Sequence, residues 1–244
     1  MSKAHRADQT VGLLAQGPRI IRPMELVRWT IGKMQNPIRG LLHGSAALAS
    51  LVGLGFLLAR AQGVAAIVAG LVFSLGLVGL FTISSLYHSV NWRPRWKLRM
   101  QRLDHSMIFV LIATSYTPVA LLVLDGTWSW LSMVVVWTIA VVGITDRVIG
   151  SMTSNWFAFT LMMVLGWLAA PLMGVIWSRA GASAVLLFAA GGVLYSVGMV
   201  FNVTKWPRMW PKVFSAHELF HVMVVAASTF HWVATYRFLI PLGA

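Results

Sequence analysis

The sequence predicts an all-α integral membrane protein: a bundle of seven transmembrane helices, with the N-terminus in the cytoplasm and the C-terminus outside. Three observations predict it. The 244 residues are 58% hydrophobic and only 10% charged, with a mean hydropathy of +0.78, whereas an average soluble domain carries about 25% charged residues. The apolar residues fall into seven runs, each near the roughly 20 residues that an α-helix needs to cross about 30 Å of hydrocarbon. The basic residues crowd into the segments between alternate runs, as cytoplasmic loops require.

Residues 1–40 form a basic cytoplasmic segment with seven Lys or Arg and no long apolar core, which does not fit a cleavable signal peptide. Within it, Met24–Met34 can form a short amphipathic helix lying in the membrane surface, anchored by Trp29; a plain basic tail fits the residues equally well. Residues 41–244 hold the transmembrane domain. The first span is Leu41–Leu58, closed by Arg60, and the second is Val64–Val90. A basic loop, Asn91–Arg102, leads to the third, Leu103–Leu124, in which Pro118 predicts a kink. The short turn Asp125–Gly126 precedes Trp128–Thr145, which Asp146 and Arg147 close. The fifth and sixth spans are Trp156–Trp177 and Ala182–Val203. A second basic loop, Thr204–Lys212, precedes the seventh, Val213–Ile240.

With the N-terminus inside, sixteen of the nineteen Lys and Arg lie on the cytoplasmic side; only Arg60, Arg179 and Arg237 lie outside. This clustering beside apolar runs explains the net charge of +13 and argues against nucleic acid as a partner. The inner loops carry similar Trp-rich basic segments, Trp92–Lys97 and Lys205–Lys212, suited to anchoring at lipid headgroups. Membrane lipids are therefore the expected partners. The oligomeric state is not legible.

The chain lacks Cys, so a metal would have to be held by His, carboxylate or water. The predicted topology brings His88, in the last turn of the second span, to the same depth as His217 and His221 in the first turns of the seventh. Asp104, at the start of the third, joins them. A spacing of four stacks His217 and His221 on one helix face, about 6 Å apart. Three His with a fourth position left open is the pattern of a catalytic zinc. Asp104 is placed to orient or deprotonate a water at that position. Ser84, one turn before His88, is placed to hydrogen-bond that water, Asp104 or a developing oxyanion. Each residue also has a simpler reading: a helix-packing serine, a helix-dipole or Arg102 partner for Asp104, a hydrogen-bonded structural histidine. His217–His221 (HELFH) also matches the H-E-x-x-H pattern, in which Glu218 would be the base, but Glu218 is rotated by about 100° from His217. His105 adjoins Asp104 but points elsewhere. His231, roughly 15 Å deeper than His221, cannot share the site. His43 stands at the cytoplasmic edge of the first span without an assignment.

Ser84-x-x-x-His88, Arg102-Leu-Asp-His-Ser, Ile112-Ala-Thr-Ser-Tyr-Thr-Pro118 and His217-x-x-x-His221 together resemble the haemolysin III family, the bacterial branch of the progestin and adipoQ (adiponectin) receptors. The resemblance covers about residues 30–240. It implies Zn2+ held by His88, His217 and His221, with Asp104 and Ser84 beside it, in the inner membrane of a bacterium. Animal relatives are linked to ceramidase-like hydrolysis of lipid amides, which implies a zinc-dependent hydrolase acting on an amide or ester of a lipid-derived substrate. Nothing in the chain resembles the extensions of the animal receptors, so hormone binding does not carry over. The competing readings are a non-enzymatic sensor or regulator with structural zinc, a pore-forming haemolysin, and an intramembrane metalloprotease.

Overall fold

The computed structural model describes residues 34–149, 155–210 and 214–243. The amphipathic segment expected at Met24–Met34 lies outside them except for its last residue, as does most of the basic segment 1–40. Among the described residues the regular structure is helical, and seven helical segments are long and apolar enough to cross a membrane. Seven α-helices of the expected kind therefore form the body of the chain, as a multi-pass membrane protein requires.

Helix α1 (Pro37–Arg60) begins with a proline at its first turn, where the missing N–H costs nothing. Helix α2 is Gly63–Ser89 and α3 is Pro94–Leu122. The latter corrects the expected loop 91–102. Pro94 starts a helix whose first two turns are basic and exposed, so the charged stretch that reads as a loop is mostly helix. Pro118 sits within α3, which continues through it to Leu122. Helix α4 runs Gly126–Ile149 and passes through Asp146 and Arg147. Asp146 is buried and bonded to Arg147 at 2.5 Å, so its charge is paired within the helix and does not end it.

The fifth span is broken. Helix α5 (Asn155–Trp167) gives way to a 3₁₀ turn at Ala170–Leu172 around Pro171, and α6 (Met173–Ala180) completes the crossing. Helix α7 is Ala182–Thr204. Helix α8 is Ala216–Ala234; a π turn at Thr235–Leu239 and a 3₁₀ turn at Ile240–Gly243 follow it.

Many large apolar side chains point outward, such as Leu48, Val64 and Leu186 at two-thirds exposure or more. In water these would be a liability; in lipid they are the solvent-facing surface. The hydroxyls of Ser50, Thr114, Ser115 and Ser196 bond carbonyls three or four residues back in their own helices, which satisfies them where water is scarce. Helices approach closely where a side chain is missing. A Cβ on Gly76 would lie 2.0 Å from Thr114 Oγ1, so α2 and α3 meet at backbone distance, a packing mode typical of membrane helices. That contact sets Ser84, two turns further along α2, against the start of α3.

The helix ends alternate between the two ends of the bundle. Arg39, the residues Arg93–Arg102, Arg147, Lys205 and Arg208 share one end; Arg60, Arg179 and Arg237 share the other. Asp125 pairs with Arg179 at that second end.

Candidate metal centre

At the basic end, two helices bring His88 (α2), His217 and His221 (α8) together. One ring nitrogen from each lies within 4.8 Å of the others. Ring centroids are 4.9 Å apart for His88 and His221, 4.7 Å for His217 and His221, and 5.9 Å for His88 and His217. Zinc at about 2.0–2.1 Å from each nitrogen would space them about 3.4 Å apart, so small ring rotations close the shell.

The local cause of the His217–His221 face is the start of α8. Ser215 caps the helix: its hydroxyl accepts from His217 N at 3.2 Å, and Ser215 N donates to Glu218 Oε2 at 2.8 Å. This reciprocal capping box fixes the first turn and therefore the direction of both imidazoles. Glu218 has a second partner: Arg39 Nε in α1 donates to its Oε1 at 2.7 Å. Both carboxylate oxygens are thus engaged: Oε1 joins the first and last spans, and Oε2 caps its own helix, where a Ser215 Oγ contact adds to the bond from Ser215 N. Glu218 is a structural residue here, so the H-E-x-x-H reading loses its base. Glu218→Gln is expected to lower the melting temperature of the detergent-purified protein by the equivalent of about 1.5–3 kcal/mol, the worth of a hydrogen bond to a charged group. Bound metal, measured by elemental analysis, should be unchanged; loss of metal would show that Glu218 acts in the site.

The three histidines fit a metal on their own chemistry. Both ring nitrogens of His88 and Nε2 of His221 are buried and have no hydrogen-bond partner among the described residues. A buried polar nitrogen without a partner costs about 1–3 kcal/mol, and a shared cation would engage one such nitrogen of His88 and that of His221. The Nδ1 atoms of His221 and His217 are used. His221 Nδ1 lies 2.9 Å from Nε2 of His43 in α1, and His217 Nδ1 lies 2.7 Å from Oδ1 of Asn202 in α7. Neither His43 nor Asn202 is marked by sequence spacing. Depth alone was a hint for His43; nothing local distinguishes Asn202.

Asp104 and Ser84 are buried, with 8% and 2% exposure, and are joined by a side-chain hydrogen bond. With His43, His217 and His221 they line a cavity of about 500 Å3. His105 lines the same cavity, which corrects the expectation that it points elsewhere, but it is not part of the histidine group. Beyond this polar end the wall is mostly apolar, with Leu111, Met162, Ile176 and Phe188 among its residues. His231, also on the wall, bonds the carbonyl of Phe188 at 3.2 Å and, ten residues along from His221, stands apart from the triad as expected.

Known proteins share sequence similarity with this chain. A haemolysin-III-related family profile matches residues 32–232, a range that contains all five polar residues of the site. The chain is 28% identical to Hemolysin-3 of Bacillus cereus over 90% of its own length and 99% of the relative's. It is 32% identical to the Hemolysin-3 homolog of Bacillus subtilis (strain 168), over 77% and 86% of the two chains. A human relative, the monocyte to macrophage differentiation factor, is 24% identical over 69% of each chain. With a profile match across most of its length and bacterial relatives that align nearly end to end, this seven-helix chain belongs to the haemolysin-III-related family.

Proposed function

We propose that this protein is a metal-dependent membrane hydrolase that cleaves an amide or ester bond in a lipid, with zinc as the metal. The observation that carries the reading is the approach of one ring nitrogen from each of His88, His217 and His221 within 4.8 Å, beside a cavity whose wall holds His217, His221 and Asp104. A cavity of about 500 Å3 lies within the usual 300–1,000 Å3 range of small-molecule sites, and an apolar wall with a few convergent polar groups is their usual lining. An acyl chain suits the apolar part and a scissile carbonyl the polar end.

His88, His217 and His221 would hold the ion, leaving a coordination position free. Bound there, zinc would supply Lewis acidity and bring the pKa of water toward about 7. The chain's own residues do the rest. Asp104 takes the proton of the attacking water at its carboxylate and delivers it to the departing amine or alcohol as the carbonyl–nitrogen or carbonyl–oxygen bond breaks. Ser84 holds the Asp104 carboxylate in place through its hydroxyl. The apolar wall excludes bulk water and aligns the acyl chain. The basic end, which contains the site, faces the cytoplasm in this reading, as the distribution of Lys and Arg favours. The substrate then enters from the inner leaflet of the bacterial cytoplasmic membrane.

Reconstituted protein should release fatty acid from an N-acyl or O-acyl lipid panel, and a strong chelator should stop it until zinc is restored. Metal-loaded protein that turns over none of these lipids would leave the histidines as a brace between α2 and α8, which is the sensor reading.

A further inference from the structure

Two side chains outside the triad hold two of its members by the nitrogen that a metal would not use. We propose that His43 and Asn202 are positioning residues, which fix the tautomer and direction of His221 and His217 so that both present a bare Nε2 to the cation. The proposal rests on the metal-site reading above.

The chemistry follows from donor and acceptor roles. A neutral imidazole carries one N–H and one lone pair. Asn202 Oδ1 can only accept, so at 2.7 Å it places the proton of His217 on Nδ1 and leaves the lone pair on Nε2. Between His221 and His43 a single proton lies in the 2.9 Å contact. If His221 donates it, His221 Nε2, which is buried and otherwise without a partner, is left as a lone pair facing His88. His43 then accepts at Nε2 and carries its own proton on Nδ1. Imidazoles that ligate metals ordinarily donate their second N–H in this way. Here the acceptors are an imidazole and an amide where a carboxylate is the more familiar choice, which avoids burying further charge.

His43 is closely packed. His43 is 2% exposed and sits edge-on to Phe81 at 5.1 Å between centroids. One turn before it, α1 is pressed onto α2: Ser85 Oγ donates to Gly40 O at 2.8 Å, and a Cβ on Gly40 would lie 2.1 Å from Ser89 Oγ. Asn202 lies in the last turn of α7, where Lys205 Nζ donates to its carbonyl oxygen at 2.5 Å. The outer contacts thus extend the site from α2 and α8 to α1 and α7.

The test is zinc affinity of the detergent-purified full chain, measured by competition with a chromogenic chelator. Wild type is compared with His43→Leu, His43→Gln, Asn202→Leu and Asn202→Asp. Loss of an outer-shell partner lowers metal affinity about 10–100-fold, and each Leu variant should show a loss of that size. Gln, whose Oε1 reaches the position of Nε2, and Asp, which keeps an acceptor oxygen, should recover most of it. The d–d spectrum of the cobalt-substituted protein should shift in the Leu variants and return in the rescued ones. Wild-type zinc binding with unchanged affinity and spectrum in all four variants would overturn the proposal and leave the metal site standing. So would Leu variants that melt earlier yet bind zinc as tightly as wild type. A wild type that binds no zinc would overturn the metal reading itself. Should a Leu variant not fold, the spectrum and affinity of the Gln and Asp variants decide, since loss of the wild-type values in those conservative changes contradicts the acceptor roles.

Discussion

Replacing His217 with alanine will leave the purified protein without its metal. Wild-type protein should carry roughly one zinc per chain, as a three-histidine site does, and the variant close to none. The loss should exceed the roughly 10–100-fold that removal of an outer-shell partner costs, because a ligand itself is gone. His217 is the best of the three to remove. His88 and His221 are more deeply buried than His217, so truncating them leaves a cavity as well. Elemental analysis gives the stoichiometry, and a melting curve with and without added zinc gives its contribution to stability. Wild type should melt at a higher temperature with zinc than without it; the variant should show no such difference, because a ligand that binds only the folded state raises stability by an amount that grows with the logarithm of its concentration over its dissociation constant. Equal zinc in both proteins would mean that the metal, if any, sits elsewhere.

Asp104→Asn separates holding the metal from using it. The amide keeps the size of the carboxyl group and can still bond Ser84, so folding and zinc content should match wild type. It cannot take a proton, and general acid–base catalysis contributes about 10²–10⁴-fold, so release of fatty acid should fall by that factor. Turnover with saturating lipid is the measurement. Full activity in the variant would remove Asp104 from the mechanism. Zinc loss in the variant would place Asp104 among the ligands.

Much of this was legible in the sequence because lipid imposes a simple rule: a long apolar run must be a helix. The seven spans follow from that rule, and their alternation collects His88, Asp104, His217 and His221 at one end. The errors have physical causes. The start of α3 reads as a loop because Arg93–Arg102 is basic, yet a helix can project from the membrane and keep its charges in water. Asp146 reads as a helix end, but its partner Arg147 allows it to stay buried inside α4. The break at Ala170–Leu172 follows a proline that the apolar pattern hides. The contacts of His43 and Asn202 with the triad are not marked by sequence spacing because their partners are 178 and 15 residues away. Which of them meet depends on how helices cross, and no local spacing encodes that crossing.

The joint between Arg39 and Glu218 spans 179 positions of the chain, and the imidazole pair beside it spans 178. During synthesis, the N-terminal half of each contact waits in the bilayer until the final segment has left the ribosome. A nascent chain arrested before that segment lacks His217 and His221, two of the three imidazoles that could hold an ion.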